Sequence, residues 1–410
     1  MMKTSISSII NQFRIIFKQD RRLFYSLSAN HRYVKTLDLR LFQKVNSSIS
    51  SRTTSKTLDW NRAVSDAEKI VGYPTSYFSL RCLLSDEISN IALHLRKLVG
   101  SNHPLLKTAK RLIYNGRNNM QTRGLIVLLI SKAAGHLPTS SDLLEADRSA
   151  GISQRQRSLA EITEMIHTAH LIHKCILNLS QTTIPDCNIL HDLQFGNKIS
   201  VLSGDYLLAN ACKELAELRN CKVVDLISKS IADFMQAEFL GNHDKQGNPL
   251  PTEGMGISEW EERNFLWVGS LMANSCQATL ELAGHDEKMQ QNGYDFGKNL
   301  GLAWQVHSDL QPFTDSYRYP PGAPFDLTSL PAIFHLEHDK ETLRYITNCG
   351  DSVDNLDFKS LHSIFSQSEG VEKAKTFLDS YAQRAEDVLK EFGPSDATKA
   401  LYNIIQALRE

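Results

Sequence analysis

Apolar side chains recur every three or four residues along most of the chain from about Trp60 onward, and apolar–polar alternation is scarce. The first spacing places side chains on one face of an α-helix, whereas alternation is typical of strands. The clearest stripe consists of Leu159, Ile162, Ile166, Ala169, Ile172, Ile176 and Leu179. The pattern therefore predicts an all-α fold in which helix follows helix.

Local signals predict where some of these helices begin. Ser158 with Glu161, and Ser258 with Glu261, have the spacing of a capping box, in which each residue's side chain bonds the other's backbone N–H. We expect the second box to open a helix that continues to about Ala283.

Proline and glycine mark the breaks between helices. Gly393-Pro-Ser395 predicts the entry to a last helix that runs to the C-terminus. Other breaks lie at residues 137–151, 241–256 and 317–328. None of them is long or biased enough for a domain linker, so residues 59–410 are predicted to form a single all-helical domain.

Charge separates the first 58 residues from the rest. The whole chain has a net charge of −1, but residues 1–58 hold eleven of its 45 Lys and Arg and two of its 46 Asp and Glu. The rest therefore has 34 basic and 44 acidic residues, a net charge of −10. A basic, acid-poor leader that is rich in Ser and Thr is typical of a mitochondrial presequence, and the alternative is a solvated basic tail.

Composition excludes several classes of protein. No basic run is interleaved with aromatic residues, which argues against nucleic-acid binding. The longest apolar run, Leu125 to Ile130, is far too short to span a bilayer. The seven cysteines are scattered without a C-x-x-C pair, which favours a reducing compartment over disulfides or a zinc site.

Residues 164–178, EMIHTAHLIHKCILN, resemble the first metal-binding helix of the trans-isoprenyl diphosphate synthases. In that family the stretch runs E-x-I-H-T-A-x-L-x-H-D-D-x-x-D, and its aspartates hold Mg²⁺ against an allylic diphosphate. Here Lys174, Cys175 and Asn178 stand at the three aspartate positions. The frame of the motif is present and its carboxylates are replaced.

The second aspartate motif of the family is degenerate as well. It runs G-x-A-F-Q-x-x-D-D-x-x-D-F, and residues 301–313 read GLAWQVHSDLQPF. Gln305 and Asp309 are retained, while Ser308 and Pro312 occupy the other two carboxylate positions.

A third segment keeps the family pattern most closely. Residues 195–209, FGNKISVLSGDYLLA, match G-N-K-x-A-V-L-x-G-D-x-L-L-A. Upstream, MQTRGLIVLL at residues 120–129 stands at G-G-K-x-x-R-P-x-L, where Arg123 alone of the pyrophosphate-binding residues survives. The resemblance leaves Arg123, Lys198 and Gln305 as candidates for substrate contacts.

Elementary electrostatics predicts that these motifs hold no metal. Mg²⁺ requires oxygen ligands, which D-D-x-x-D supplies from adjoining positions of one helical turn. A lysine about 4 Å from a divalent ion is repelled by roughly 8 kcal/mol at an effective dielectric near 20. Cys175 is a soft ligand, Asn178 is neutral and Asp309 is a single carboxylate. We therefore predict neither catalytic nor metal-binding residues.

Two other interpretations concern the same helix. His167, His170 and His173 are spaced like metal ligands, but at about 100° per residue the outer pair lie about 240° apart and cannot converge on one ion. They are expected to pack within the helix bundle. Lys174 is expected to lie in a vestigial cleft or to pair with a nearby acid, and the alternative is direct contact with a diphosphate.

The resemblance spans residues 70–408 and is strongest to the second-subunit type of heteromeric all-trans-polyprenyl (decaprenyl or solanesyl) diphosphate synthases. It implies an isoprenoid-synthase bundle of helices around a central cavity. It further implies a non-catalytic regulatory or stabilising subunit in the mitochondrial matrix, either free or associated with the inner membrane. Its expected partner is an aspartate-rich catalytic subunit, in a heterodimer or heterotetramer.

Within that pair, the partner is expected to bind Mg²⁺ and to elongate an allylic diphosphate with isopentenyl diphosphate for the ubiquinone side chain. Two alternatives remain open. One is an isoprenoid-lipid-binding or scaffold protein without a prenyltransferase partner. The other is an active synthase whose metal ligands lie outside the recognised motifs.

Overall fold

A computed structural model describes residues 60–72, 103–105, 108, 122–135, 148–149, 151–179, 187–316, 319–320, 322–348 and 352–410. The predicted leader, residues 1–58, lies outside this part of the chain, and the domain boundary at 59 stays a prediction. The helices are α1 Trp60–Val71, α2 Thr122–Ala134, α3 Gln154–His173, α4 Cys187–Glu217, α5 Cys221–Glu238, α6 Ile257–Asn264, α7 Ser270–Leu282, α8 Glu287–Thr314, α9 Leu330–Leu336, α10 Lys340–Thr347, α11 Phe358–Ser366, α12 Gly370–Leu389 and α13 Asp396–Arg409.

Short pieces of other structure connect these helices. The strands β1 (Arg148–Ser149) and β2 (Ile152–Ser153) form one antiparallel pair. The strands β3 (Asn242–His243) and β4 (Pro249–Leu250) form another, which we call the β3–β4 hairpin. A π-helical turn, Phe265–Gly269, joins α6 to α7. The prediction of an all-α bundle is confirmed.

The start of α3 differs from its prediction. Its N-cap is Ser153, whose hydroxyl accepts the Gln156 N–H at 3.3 Å, while the Gln156 side chain accepts the Ser153 N–H at 3.1 Å. The predicted box at Ser158 and Glu161 is wrong, because the β1–β2 pair delivers Ser153 in an extended conformation and the helix begins one turn earlier.

The next capping box is displaced by two residues. The N-cap is Gly256, and its N–H donates to the Glu259 carboxylate at 3.0 Å, so Ser258 and Glu261 already lie inside α6. The predicted extent is confirmed, since α6, the π turn and α7 continue without a break to Leu282. The predicted entry to the last helix is also confirmed.

The end of α3 also differs from the predicted stripe. The helix ends at His173, and Ile176 is 42% exposed rather than buried. The reason lies in α4, where the Asn197 side chain accepts the Leu177 N–H and donates to the Leu177 carbonyl, each at 2.8 Å. These bonds take the place of the backbone hydrogen bonds that Leu177 would have formed in a longer α3.

The centre of the bundle is formed by α7, α8 and α12, and α8 approaches α7 through a stripe of glycines. A Cβ on Gly293 would lie 2.9 Å from the Cys276 carbonyl oxygen, and one on Gly297 would lie 2.6 Å from that of Met272. The backbones of the two helices are therefore in direct contact, which no larger side chain permits.

A smaller apolar cluster lies beside this main core, between α9, α10 and α11. Its fully buried members include Ala332, Ile346 and Phe365. The bundle therefore has a satellite core that packs against the last turns of α8 through Phe313. None of the helices in the described residues is both long enough and apolar enough to cross a bilayer.

The glycine contact yields a prediction for stability. Gly297→Ala is expected to lower the free energy of unfolding by about 2 kcal/mol or more, because the added methyl meets rigid backbone atoms. Chemical denaturation measures this change. Gly256→Ala is the matched control, since its nearest neighbour is a flexible carboxylate at 3.5 Å. Equal stability of Gly297→Ala and the original chain would contradict the close approach.

Candidate functional site at two degenerate motifs

Lys174 forms the C-cap of α3, at the first aspartate position of the first motif. Its ammonium group donates to both carboxylate oxygens of Glu238, at 2.9 and 3.0 Å. It also lies 4.6 Å from the centre of the Trp267 ring, within the range of a cation–π contact. The acid that Lys174 was expected to find is therefore Glu238, at the end of α5.

The other two positions of the first motif are bonded within the protein. Cys175 is buried, and its thiol lies 3.2 Å from both the Thr108 hydroxyl and the Leu171 carbonyl oxygen. Burial raises the pKa of this thiol, which keeps it protonated and unsuited to a metal. Asn178 is exposed, and its amide donates to the Lys245 carbonyl.

The retained G-N-K segment holds the turn that follows α3. Besides clamping Leu177, Asn197 contacts a ring nitrogen of His103 at 3.1 Å. Gly196 makes room for that ring, because a Cβ there would lie 2.3 Å from it. Lys198 is exposed and forms no ion pair with any residue in the described part of the chain. The signature therefore serves the architecture of the motif.

The three histidines of α3 face different surroundings. His167 contacts Arg123 at 2.8 Å, and His173 lies 3.3 Å from an Asp205 carboxylate oxygen. His170 accepts the Trp267 indole N–H at 2.9 Å. The histidines are therefore not ligands of a common ion.

Arg123, the surviving candidate of the pyrophosphate-binding segment, is influenced electrostatically by a buried acid, Glu164. Glu164 is 1% exposed and accepts the Gly124 N–H at 2.7 Å. Burial raises the pKa of Glu164 to about 7, and burial lowers that of Arg123 to about 10. The attraction between the two charges opposes both changes, so each side chain stabilises the ionised form of the other.

Asp309 is the single carboxylate kept in the second motif, and it accepts hydrogen bonds from three N–H groups. One oxygen accepts the Trp260 indole N–H and the Leu330 backbone N–H, both at 2.9 Å. The other oxygen accepts the Gln305 amide at 2.7 Å. Burial, with a smaller contribution from the nearby Asp326 charge, raises the pKa of Asp309 to about 7.

Ser308 and Pro312 are likewise part of the architecture. The Ser308 hydroxyl donates to the Trp304 carbonyl one turn earlier, at 3.0 Å. The Pro312 carbonyl accepts a ring N–H of His362 at 3.0 Å, which ties the end of α8 to α11. Proline supplies no N–H at this position, and α8 ends two residues later at Thr314.

These residues do not fit Mg²⁺. A magnesium site needs several convergent oxygens in near-octahedral geometry. The first motif offers an ammonium group, a buried thiol and an amide, and the oxygens of Asp309 already accept three hydrogen bonds. Across the described ranges, no group of three or more His, Cys, Asp or Glu residues could hold a metal ion.

Sequence reasoning missed the partners on the far side of each motif, namely Glu238, Trp267 and Trp260. A lysine in place of an aspartate favours a neighbouring acid, so the kind of partner could be predicted from Lys174. The identity of that acid was not readable, because 64 residues separate Lys174 from Glu238 along the chain.

The raised pKa of Asp309 yields a prediction with a definite sign. Between pH 3.8 and about 7 the folded chain binds more protons at this carboxyl than the unfolded chain does, so the free energy of unfolding falls as the pH rises through this window. Between pH 5 and pH 8, we expect the free energy of unfolding of the original chain to fall by on the order of 2 kcal/mol more than that of Asp309→Asn.

Urea denaturation at both pH values measures this shift, because other groups titrate equally in the two proteins. Asp225→Asn is the matched control, since Asp225 is an exposed acid on α5, and its curve should run parallel to that of the original chain. A pH-independent difference for Asp309→Asn would contradict the burial argument.

Sequence comparisons identify the family. A profile of the polyprenyl synthetase family matches residues 105–352, more than half of the chain. The chain is 44% identical over 359 residues to the Homo sapiens protein named All trans-polyprenyl-diphosphate synthase PDSS2, covering 87% of this chain and 89% of the relative. It is 28% identical over 411 residues to the Yarrowia lipolytica protein named Probable hexaprenyl pyrophosphate synthase, mitochondrial, covering 86% and 89%.

Solved structures agree on the fold. Heptaprenyl diphosphate synthase from Staphylococcus aureus superposes with a TM-score of 0.61 at 16% identity, covering 85% of this chain and 98% of that one. An Arabidopsis medium/long-chain length prenyl pyrophosphate synthase gives a TM-score of 0.52 at 24% identity, covering 80% and 97%. With both its sequence profile and its fold matched, the chain belongs to the polyprenyl synthetase family.

Proposed function

We propose that this chain is a non-catalytic subunit of a heteromeric all-trans-polyprenyl diphosphate synthase. It assembles with an aspartate-rich catalytic subunit, stabilises that subunit and shapes its elongation pocket. The pair condenses isopentenyl diphosphate onto an allylic diphosphate to make the ubiquinone side chain. The relatives named as mitochondrial enzymes support a mitochondrial location.

The observation that carries this proposal is the use of the motif side chains by the protein itself. Lys174 is paired with Glu238, and Asp309 accepts three N–H groups from its own fold. Neither motif offers the cluster of oxygens that a metal-held diphosphate requires. The chemistry is therefore assigned to the partner, whose carboxylates bind Mg²⁺.

Loss of the metal ligands leaves the frame of the enzyme intact. Asn197 holds the turn after α3, and the glycines of α8 keep α7 in close contact. A subunit that only scaffolds its partner needs this frame and needs no metal. The extent of the likeness to the PDSS2-named relatives, 44% over most of both chains, supports a role in the same kind of enzyme.

The second candidate is a protein that binds isoprenoid lipids or scaffolds other proteins without a prenyltransferase partner. The retained family frame favours it over unrelated functions, because the fold itself is that of the polyprenyl synthases. Co-purification separates the two candidates, since only the subunit proposal requires a stoichiometric prenyltransferase.

The test is co-expression of this chain with an aspartate-rich prenyltransferase from the same organism. We expect incorporation of labelled isopentenyl diphosphate, dependent on Mg²⁺, in the co-purified pair and none from this chain alone. Replacing the aspartates of the partner's first motif should abolish the activity of the pair. Turnover by this chain alone would contradict the proposal, and failure to co-purify would favour the lipid-binding alternative.

A second variant tests the candidate substrate contact in this chain. Lys198 is exposed on α4 and forms no ion pair within the described residues, so Lys198→Met should leave the turnover of the pair within about twofold. Steady-state kinetics measures this ratio. A loss of tenfold or more would place Lys198 in a substrate site and would contradict the assignment of all chemistry to the partner.

A further inference from the structure

The segment that follows the end of α5 lies against the first motif. We call residues 238–250, from Glu238 through the β3–β4 hairpin, the strap. Two bonds reach it from the motif: Lys174 pairs with the Glu238 carboxylate, and Asn178 donates to the Lys245 carbonyl. Both bonds come from positions where the family pattern has metal-binding aspartates.

The hairpin of the strap is also bonded to the segment that precedes α11. The Asp244 carboxylate accepts the N–H groups of Gln246 and Asn248 at 2.9 and 2.7 Å, which fixes the turn of the hairpin. The same carboxylate accepts the Val353 N–H at 2.9 Å, in the segment that precedes α11. The hairpin is therefore a defined piece of structure that bridges the first motif and the satellite core.

A third contact holds Lys174, the residue of the motif that pairs with the strap. The π turn between α6 and α7 carries Trp267, whose ring lies under the Lys174 ammonium group. The same indole donates to His170, and the His170 ring stacks on Phe234 of α5 with centroids 4.5 Å apart. Lys174 therefore lies on a platform that joins α3, α5 and the π turn.

We propose that the strap is a metal-independent latch: the side chains that replaced the first-motif aspartates hold it closed against the end of α3. The latch rests on the proposed function, because it assumes that this motif has no metal and no diphosphate to admit. In this subunit the ion pair and the amide bond favour the closed strap without a ligand, so that its closure does not depend on substrate.

The strength expected of the latch sets the size of the test. The Lys174 and Glu238 side chains are 38% and 36% exposed, so solvent screens their attraction, although both carboxylate oxygens are engaged. Removing the pair should therefore raise the opening of the strap by roughly 3- to 10-fold rather than unfold the protein.

Hydrogen–deuterium exchange on the full chain measures this opening. We expect slow exchange of residues 238–250 in the original chain, unchanged when Mg²⁺ and inorganic diphosphate are added. Glu238→Gln and Asn178→Ala should each accelerate exchange in the strap and the π turn. The double exchange of charge, Lys174→Glu with Glu238→Lys, should restore part of the protection.

Lys298→Met is the matched control. Lys298 pairs with Glu261 at 3.8 Å, with side chains 38% and 35% exposed, and lies 5.5 Å from the Phe265 ring centre. This variant removes the same kind of pair and a contact with Phe265 of the π turn, while Lys174, Asn178 and Glu238 keep their bonds. Exchange in the strap should therefore stay unchanged.

Two results would overturn the latch. One is rapid exchange of the strap in the original chain. The other is added protection of the strap by Mg²⁺ and diphosphate, which would mean that a ligand, not the ion pair, closes it. If the chain alone is inactive but its strap exchanges freely, the latch proposal is wrong and the proposed function is unaffected. Activity of the chain alone would remove the proposed function, whatever the exchange shows.

Discussion

The bonding of Asp309 is the constraint on which the second motif and its surroundings depend. A buried carboxylate is costly unless hydrogen-bond donors surround it. Here the donors come from α6, from α8 itself and from the first residue of α9. One side chain therefore fixes three elements at once, and the acid that a metal site would require serves to hold the helices together.

The first motif follows the same principle with different chemistry. Lys174 reverses the charge that the family pattern has at this position. Its ammonium group pairs with an acid of α5 and contacts an aromatic ring of the π turn. Cys175 is absorbed into a small apolar cluster. The three positions of the first motif are thereby engaged by the chain's own groups, and the charge of Lys174 is balanced by Glu238.

Much of the fold was readable from the sequence, because helical periodicity and motif order are local properties. The bundle, the last helix and the extent of the helix from α6 through α7 were predicted correctly. The N-cap at Ser158 and the continuation of α3 past His173 were wrong. In both cases a group outside the helix decided the boundary: the adjoining β1–β2 pair at the start, and Asn197 of α4 at the end.

The candidate site could also be predicted only in part from the sequence. Replacement of the carboxylates was visible in the sequence, since it concerns residue types at fixed spacing. The partners that fill the vacated roles, Glu238 for Lys174 and Trp260 for Asp309, depend on how helices far apart in the chain pack together. Without knowledge of that packing, the sequence does not distinguish a lysine that binds a diphosphate from a lysine that is paired with an acid.

The most direct test of the account is metal binding by the chain in the absence of any partner. Mn²⁺ reports such binding through the loss of its free-ion signal in electron paramagnetic resonance, measured with and without inorganic diphosphate. The account predicts that, in each condition, the signal equals that of the same buffer without protein, in a sample shown to be folded by its unfolding transition. One or more Mn²⁺ ions bound per chain in the presence of diphosphate would contradict it.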